Sequence, residues 1–297
     1  LNISVGTCLE AVQQAASTVM AVGQQFPRAS GSWCMTDKSE TKMIEIQNVT
    51  ITVTNPLFRW NTLLSRGTLI ETADFLLGLN PGFIPCIWEY YAKKIALREK
   101  LPYTYGERIF GGEIDQWKHV VKLLRDNPTT RHATILMHRV IDRTRDYVPC
   151  TFVWHFQVDE NRFLNMTTIM RSQDVFKGLP GDLFAFTTFH EQMSLETGLR
   201  IGKYSHFCCN LHLYHPGVEK AIDKIFNAKQ LISAPTANLL TEERKYTLYQ
   251  DLCSLPLKCY TDKSLKVEEL EKFLESYNTP YWERYVDLIA GAYRDSK

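Results

Sequence analysis

Long apolar runs are what this sequence most plainly lacks. The longest, such as residues 75–79 and 84–88, fall far short of the roughly 20 residues that cross a bilayer, so no membrane span and no membrane partner is expected. An excess of one charge is also missing. The 34 basic and 33 acidic residues leave a formal charge of +1, which excludes a general electrostatic attraction to nucleic acid or an anionic membrane. Any phosphate it binds must meet a local cluster of cations. The eight cysteines, at 8, 34, 86, 150, 208, 209, 253 and 259, include no C-x-x-C pair and no zinc-like spacing with histidine. No metal site is therefore read, and the thiols are expected to be reduced, as in a cytoplasmic protein. Residues 1–5 show no basic stretch before a long apolar run and are not read as a secretory signal. The N-x-S/T matches at Asn2, Asn48 and Asn165 are accordingly read as chance.

What is present is globular. With 44% apolar and 23% charged residues over 297 positions, disordered, collagen-like and coiled-coil readings are excluded, and a large core is expected. Residues 27–40 are small and polar and read as a loop, with Arg28, Lys38 and Lys42 as nearby basic residues. β-Branched alternation predicts a strand at 49–53, closed by Asn55-Pro56. Helical spacing predicts a helix over 67–78 with Glu71 and Asp74 on its polar side, and another over 114–124, stopped by Asp126-Asn127-Pro128. Strands are predicted at 133–140, 151–158 and 163–170, the last two joined by a hairpin turn at 159–162. A long helix is predicted from Asp182 onward (Leu183, Phe186, Phe189, Met193), and three more around 218–226, 267–277 and 281–292. The expected fold class is α+β, with strands in the middle and helices packed on one face and at the end. A core over 1–215 is expected to continue into a helical C-terminal part, 216–297, of the same domain.

Cys150 follows Pro149 where a polar loop meets a predicted strand, and Arg171 closes the strand predicted to pair with it. A guanidinium beside a thiol stabilises the thiolate, and the same group can grip a phosphate. Around these residues stand Tyr105-Gly106, Asp126-Asn-Pro-Thr-Thr-Arg131, Arg171-Ser-Gln-Asp174-Val-Phe-Lys-Gly178-Leu-Pro180 and Leu211-His212-Leu-Tyr214. Their order and approximate spacing over residues 45–215 resemble the thymidylate synthases and related pyrimidine nucleotide hydroxymethylases, and the block from Arg171 to Pro180 is the most specific part.

The resemblance implies a mixed sheet with packed helices, a pyrimidine nucleoside monophosphate as substrate, 5,10-methylenetetrahydrofolate as cofactor and a homodimer with shared active sites. Cys150 would be the nucleophile, because C5 of a pyrimidine becomes carbanion-like only when a thiolate adds at C6. Glu71 would organise water and shuttle protons. Arg171 and Ser172 would hold the phosphate, with Arg131 reaching in from the partner subunit and His132 standing beside it where a second arginine is usual. His212 and Tyr214 would bind the sugar 3′-hydroxyl. Trp88 would line the folate cavity, Asp174 would contact the pterin, and Tyr105 and Gly178 would complete the cofactor side.

Two departures bear on the reaction. The base-reading asparagine of the synthases falls, without a gap, on Asp182. A carboxyl group that holds a proton complements cytosine, with its N3 acceptor and N4 donor, as an amide complements uracil. Asp182 would also suit the N-cap of the helix it begins. Thr151 follows the nucleophile where the synthases usually have histidine, and the short closing tail of the family is not found. Together these point to water attack and hydroxymethylation of CMP or dCMP. The alternatives are methylation of dUMP and a catalytically silent nucleotide-binding protein.

Overall fold

A computed structural model of the chain describes residues 1–28, 41–59, 61–64, 72, 105–111, 113–144, 148–215 and 217–230. Apart from Thr72, the helices expected over 67–78, 267–277 and 281–292 lie outside these residues, as do Glu71, Trp88 and Lys38. The described strands form one sheet in the order β1 (Asn2–Val5), β3 (Thr41–Val53), β8 (Arg200–Tyr214), β6 (Phe163–Met170), β5 (Thr151–Val158), β4 (Thr134–Leu136). β2 (Gln24–Arg28) is added along β3, and β7 (Gln173–Asp174) along β8. β1 runs parallel to β3, and β6 and β7 parallel to β8, while the other pairings are antiparallel. This is the expected mixed sheet of an α+β fold.

One face of the sheet is buried by helices. Trp154, Phe156, Leu164, Met166, Thr168, Tyr204, His206 and Cys208 alternate along β5, β6 and β8 and are shut off from solvent, as the two-residue repeat of a strand requires. They meet α4 (Leu179–Thr197), which is buried nearly all round because other helices cover its outer side. One of these is α1 (Cys8–Val22), whose Ala11, Val12, Ala15, Ala16 and Val19 are inaccessible. Its start is set by a capping box in which Thr7 and Glu10 exchange bonds with each other's backbone N–H. The other is α3 (Gln116–Asp126), which follows the short α2 (Tyr105–Phe110) and places Trp117 edge-on to Phe189, 5.5 Å between centroids. Trp117 also donates its indole N–H to Glu196 at 3.0 Å. α5 (Val218–Phe226) closes the other flank, where its Ile225 carbonyl accepts from Gln13 of α1.

Several boundaries differ from expectation for identifiable reasons. β2 takes in Pro27 and Arg28, read above as the start of a loop; they pair with Lys42 and Thr41 on an outer strand, where a proline's missing N–H is tolerated. The strand expected over 133–140 stops at Leu136, because Met137 and His138 both donate to the one carbonyl of Phe152. The chain then turns into a 3₁₀ helix, Val140–Thr144. What draws it in is a buried ion pair: Arg108 of α2 binds Asp142 with both terminal nitrogens, at 2.7 and 2.6 Å, and also holds the Met137 carbonyl. α4 begins at Leu179 rather than Asp182, since Pro180 fits the first turn of a helix without loss.

Burial pushes the Asp142 carboxyl up, but the Arg108 bonds, the Arg139 N–H and the Arg108 charge together outweigh it and hold the carboxyl below its ordinary value. A depressed carboxyl contributes stability above its unfolded value of about 4 and loses it as pH falls through the lower folded value. Arg108→Met strands this carboxylate in the core and is expected to cost about 3–5 kcal/mol at pH 7. In urea unfolding the gap from wild type should narrow as pH falls, beginning above about pH 4, because burial no longer offset by Arg108 raises the Asp142 carboxyl in the variant. A gap that stays constant across this range would show that the pair does not govern the stability of this segment.

Candidate active site

The site is assembled where β5, β6 and β8 end together. Cys150 precedes β5, half-buried, with its backbone tied to the end of β6: the Arg171 N–H donates to the Cys150 carbonyl at 2.8 Å. The Arg171 side chain goes further along the same loop. Its Nε donates to the Pro149 carbonyl at 3.0 Å and its Nη2 to the Val148 carbonyl at 2.9 Å. The residue expected to serve the phosphate thus also clamps the loop that presents the thiol. From the other side, the Thr151 N–H donates to the Tyr105 hydroxyl at 3.4 Å, so Tyr105, expected on the cofactor side, lies against the base of the cysteine loop.

The segment after Arg171 is folded by its own side chains. Asp174 Oδ1 accepts from the N–H groups of Phe176 and Lys177 at 2.8 and 2.9 Å, forming a tight Asx-type turn. β7 pairs Gln173 and Asp174 with Leu211 and His212 of β8, which brings Asp174 beside His212. His212 and Tyr214 lie on one edge of β8 with their rings 4.8 Å apart, edge to face, and Lys177 sits over the Tyr214 ring at 5.4 Å. Ser172 is half-buried between Arg171 and this turn.

Asp182 does not cap α4. The helix starts three residues earlier, and the Asp182 N–H already bonds the Gly178 carbonyl at 2.9 Å. The N-cap is Gly178, which has no side chain to bond with, and the carboxyl of Asp182 accepts from Gln173 Nε2 at 2.8 Å instead. A Cβ at Gly178 would stand 2.7 Å from that nitrogen and 3.4 Å from Asp182 Oδ2, so the glycine leaves the space in which this bond forms. Gln173 was visible in the sequence only as a member of the Arg171–Pro180 block; nothing in the pattern marked it as the partner of Asp182.

Charge and burial oppose each other at the thiol. Burial pushes the Cys150 thiol up and is the largest effect; Arg171 pulls it down and Asp182 pushes it up again, leaving it above its ordinary value. The arginine expected to stabilise the thiolate does so, but burial outweighs it. Arg131 and His132 are exposed and lie elsewhere. They precede Ala133, whose carbonyl accepts from Phe156, six residues along β5 from Cys150 and hence about 20 Å away. The structure therefore does not bring them to the Cys150 of their own chain.

The profile of the thymidylate synthase family matches residues 84–266. The chain belongs to the thymidylate synthase family. Among proteins of this type, one from Methanococcoides burtonii named "Putative thymidylate synthase" is 31% identical over 148 residues, covering 48% of this chain and 67% of the relative. One of the same name from Methanosarcina mazei is 29% identical over 132 residues, covering 42% of this chain and 60% of the relative. The chain thus aligns with about three fifths to two thirds of the length of these relatives. Among the described residues no helix is long and apolar enough to cross a membrane, and the four described cysteines, 8, 150, 208 and 209, are free thiols.

The opposing influences on Cys150 give a test independent of substrate. Alkylation of Cys150 by iodoacetamide, followed site by site through peptide masses, is expected to show a thiol that titrates above the ordinary value near 8.5. Arg171→Gln should slow alkylation at pH 7 by raising the thiol further, and Asp182→Asn should speed it. Shifts in the same direction in both variants would refute the opposition of the two charges.

Proposed function

We propose that this chain is a folate-dependent transferase that hydroxymethylates C5 of a cytidine monophosphate, CMP or dCMP. One observation carries this reading. Asp182, at the position where the synthases read the base with asparagine, is released from helix capping and held by Gln173 beside Cys150.

The residues divide the chemistry as follows. With the pyrimidine bound, Asp182 holds the proton that Cys150 gives up through water; Cys150 Sγ bonds to C6, the displaced electron pair moves through C5 and C4 onto N3, and N3 takes that proton from Asp182. C5 becomes electron-rich, and the Asp182 carboxylate accepts from the N4 amino group. The family's cofactor, 5,10-methylenetetrahydrofolate, supplies the one-carbon unit. Asp174 fits it as an acceptor: its Oδ1 serves the turn, and its Oδ2 takes no part in those bonds and suits pterin N–H groups. Gly178, Tyr105 and Trp88 complete the cofactor side. Glu71 receives the C5 proton through water. With tetrahydrofolate as the leaving group, water adds at the transferred carbon to give the hydroxymethyl product, and N3 returns its proton to Asp182 as Cys150 leaves C6 and the ring is restored. Arg171, which uses Nε and Nη2 on the loop, keeps Nη1 for the phosphate beside Ser172, while His212 and Tyr214 take the sugar.

A homodimer in the cytoplasm completes the reading. The second face of the sheet carries half-buried Val153, Ile169 and Phe207, a surface suited to a second copy, and Arg131 and His132 stand too far from their own Cys150 to serve it. Methylation of dUMP is the second reading, favoured by the names of the archaeal relatives. Product masses after incubation of CMP, dCMP, UMP and dUMP with methylenetetrahydrofolate decide between them. A gain of CH2O on a cytidylate is expected, and a gain of CH2 on dUMP would establish the second reading.

Two further outcomes follow. Asp182→Asn keeps shape and leaves the helix start unchanged, and is expected to move preference from cytidylate toward uridylate by a factor on the order of 10²–10⁴, since an unpaired buried polar group costs about 1–3 kcal/mol on each side of the comparison. An unchanged ratio of kcat/KM would remove Asp182 from base recognition. Arg131→Ala and Cys150→Ala chains, each inactive alone, should regain activity when mixed, because one site of the mixed dimer retains both residues. Full activity in a sedimenting monomer would exclude shared sites.

A further inference from the structure

Behind Asp182 runs a line of buried polar side chains that the reaction itself does not use. Gln173, only 2% exposed, donates from Nε2 to Asp182 Oδ2 at 2.8 Å and lies 3.0 Å through its Oε1 from His206 Nε2. His206 Nδ1 lies 2.8 Å from the hydroxyl of Tyr204, and both residues are fully buried. These groups come from three places in the chain: β7, the inner face of β8 and the first turn of α4. Phe186 of α4 stacks on the His206 ring at 6.3 Å and 19°, which holds the imidazole plane.

The directions of the bonds follow from one another. Because the amide nitrogen of Gln173 faces a carboxyl oxygen, its carbonyl faces His206, so His206 Nε2 must carry a hydrogen. Burial pushes the His206 imidazole down to about 3, so the ring is neutral near pH 7 and its Nδ1 is bare. Nδ1 therefore accepts from the Tyr204 hydroxyl. Every link then donates toward Asp182. An oxygen that already accepts from an amide N–H is the poorer place for a proton, so Oδ2 remains an acceptor and a proton on Asp182 resides on Oδ1.

We propose that Gln173 is a specificity-determining positioning residue, which, through the chain Tyr204–His206–Gln173–Asp182, fixes which oxygen of Asp182 carries the proton and so the order of donor and acceptor offered to the pyrimidine edge. This rests on the reading that Asp182 meets the base. Removing Gln173 removes the N–H that marks Oδ2 as the acceptor, and the two orders of donor and acceptor present opposite edges. Gly178 belongs to the same device, since any side chain there would meet the Gln173 amide.

The test compares kcat/KM for CMP, dCMP, UMP and dUMP in wild type, Gln173→Met, Asp182→Asn and the double variant. Gln173→Met keeps length and removes both bonds; it is expected to lower the wild-type base preference by at least about tenfold, through kcat more than KM, because the proton is needed as the thiolate adds. Gln173→Glu keeps the bond accepted from His206 but has no N–H for Asp182; should the methionine variant fail to fold, a similar loss of preference is expected there. If Gln173 acts through Asp182, the effects of the two substitutions depart from their product by at least about fivefold. A preference within about twofold of wild type in a folded variant, or effects that multiply independently, overturns the proposal. A wild type that prefers uridylate sinks the cytidylate reading alone: loss of that preference on changing Gln173 still supports the positioning role.

Discussion

The clamp that Arg171 places on the loop before β5 is the interaction on which the site depends. One residue donates its backbone N–H to Cys150 and its guanidinium to Pro149 and Val148, so three consecutive carbonyls are fixed by a single side chain and its own peptide. Proline cannot return an N–H to the sheet, and the β5–β6 ladder is irregular just beyond, between Thr151 and Val153. The cysteine therefore sits where regular pairing has lapsed and the chain needs an external partner. The arginine provides it, and by doing so brings its charge to the thiol. Position and electrostatics at the nucleophile come from one residue.

That coupling explains why a half-buried thiol with an arginine nearby still rests protonated. Burial withdraws water from the sulfur, Asp182 contributes an opposing charge, and Arg171 offsets only part of their sum. A substrate phosphate that draws on Arg171 and a pyrimidine against which Asp182 takes up a proton each alter this sum, so the state of the sulfur depends on what occupies the site. The buried Arg108–Asp142 pair acts on the backbone elsewhere: it turns the chain inward after β4.

How much of this was legible in the sequence follows from which residues serve local rules and which serve distant partners. β5 and β6 have the predicted boundaries, and α3 lies two residues from its predicted span, because alternation and breaker residues there agree with the tertiary structure. The shortened β4 was not legible, since what ends it is an arginine about thirty residues earlier in the chain. α1 escaped because its buried stripe is largely alanine and valine among glutamine, serine and threonine, a weak periodic signal, although its Thr7 to Glu10 capping box was open to reading. β8 escaped for a different reason. Its inner positions include Tyr204 and His206, polar residues retained for bonding across the core, so the strand does not look hydrophobic where it is most buried. Cys150, Arg171 and Asp182 were legible as a set because the Arg171–Pro180 block carried them, whereas the bonds that orient Asp182 join side chains far apart in sequence and follow no spacing rule.

Asp182 illustrates how specificity is lodged at a helix start. An aspartate at an N-cap is committed to the backbone, since its oxygens accept the first free N–H groups of the helix. Beginning α4 at Leu179 places that duty on Gly178, which has no side chain to perform it and gives up roughly a few tenths of a kcal/mol of capping. The turn held by Asp174 and the packing of α4 against the sheet replace what is lost. The Asp182 N–H is bonded to the Gly178 carbonyl within the helix, and the same missing Cβ that forfeits a side-chain cap admits Gln173 to the Asp182 carboxyl. A departure from the usual capping rule thus both releases the side chain that faces the nucleophile and opens the space for the residue that orients it, which is the pattern expected where local stability has been exchanged for chemistry.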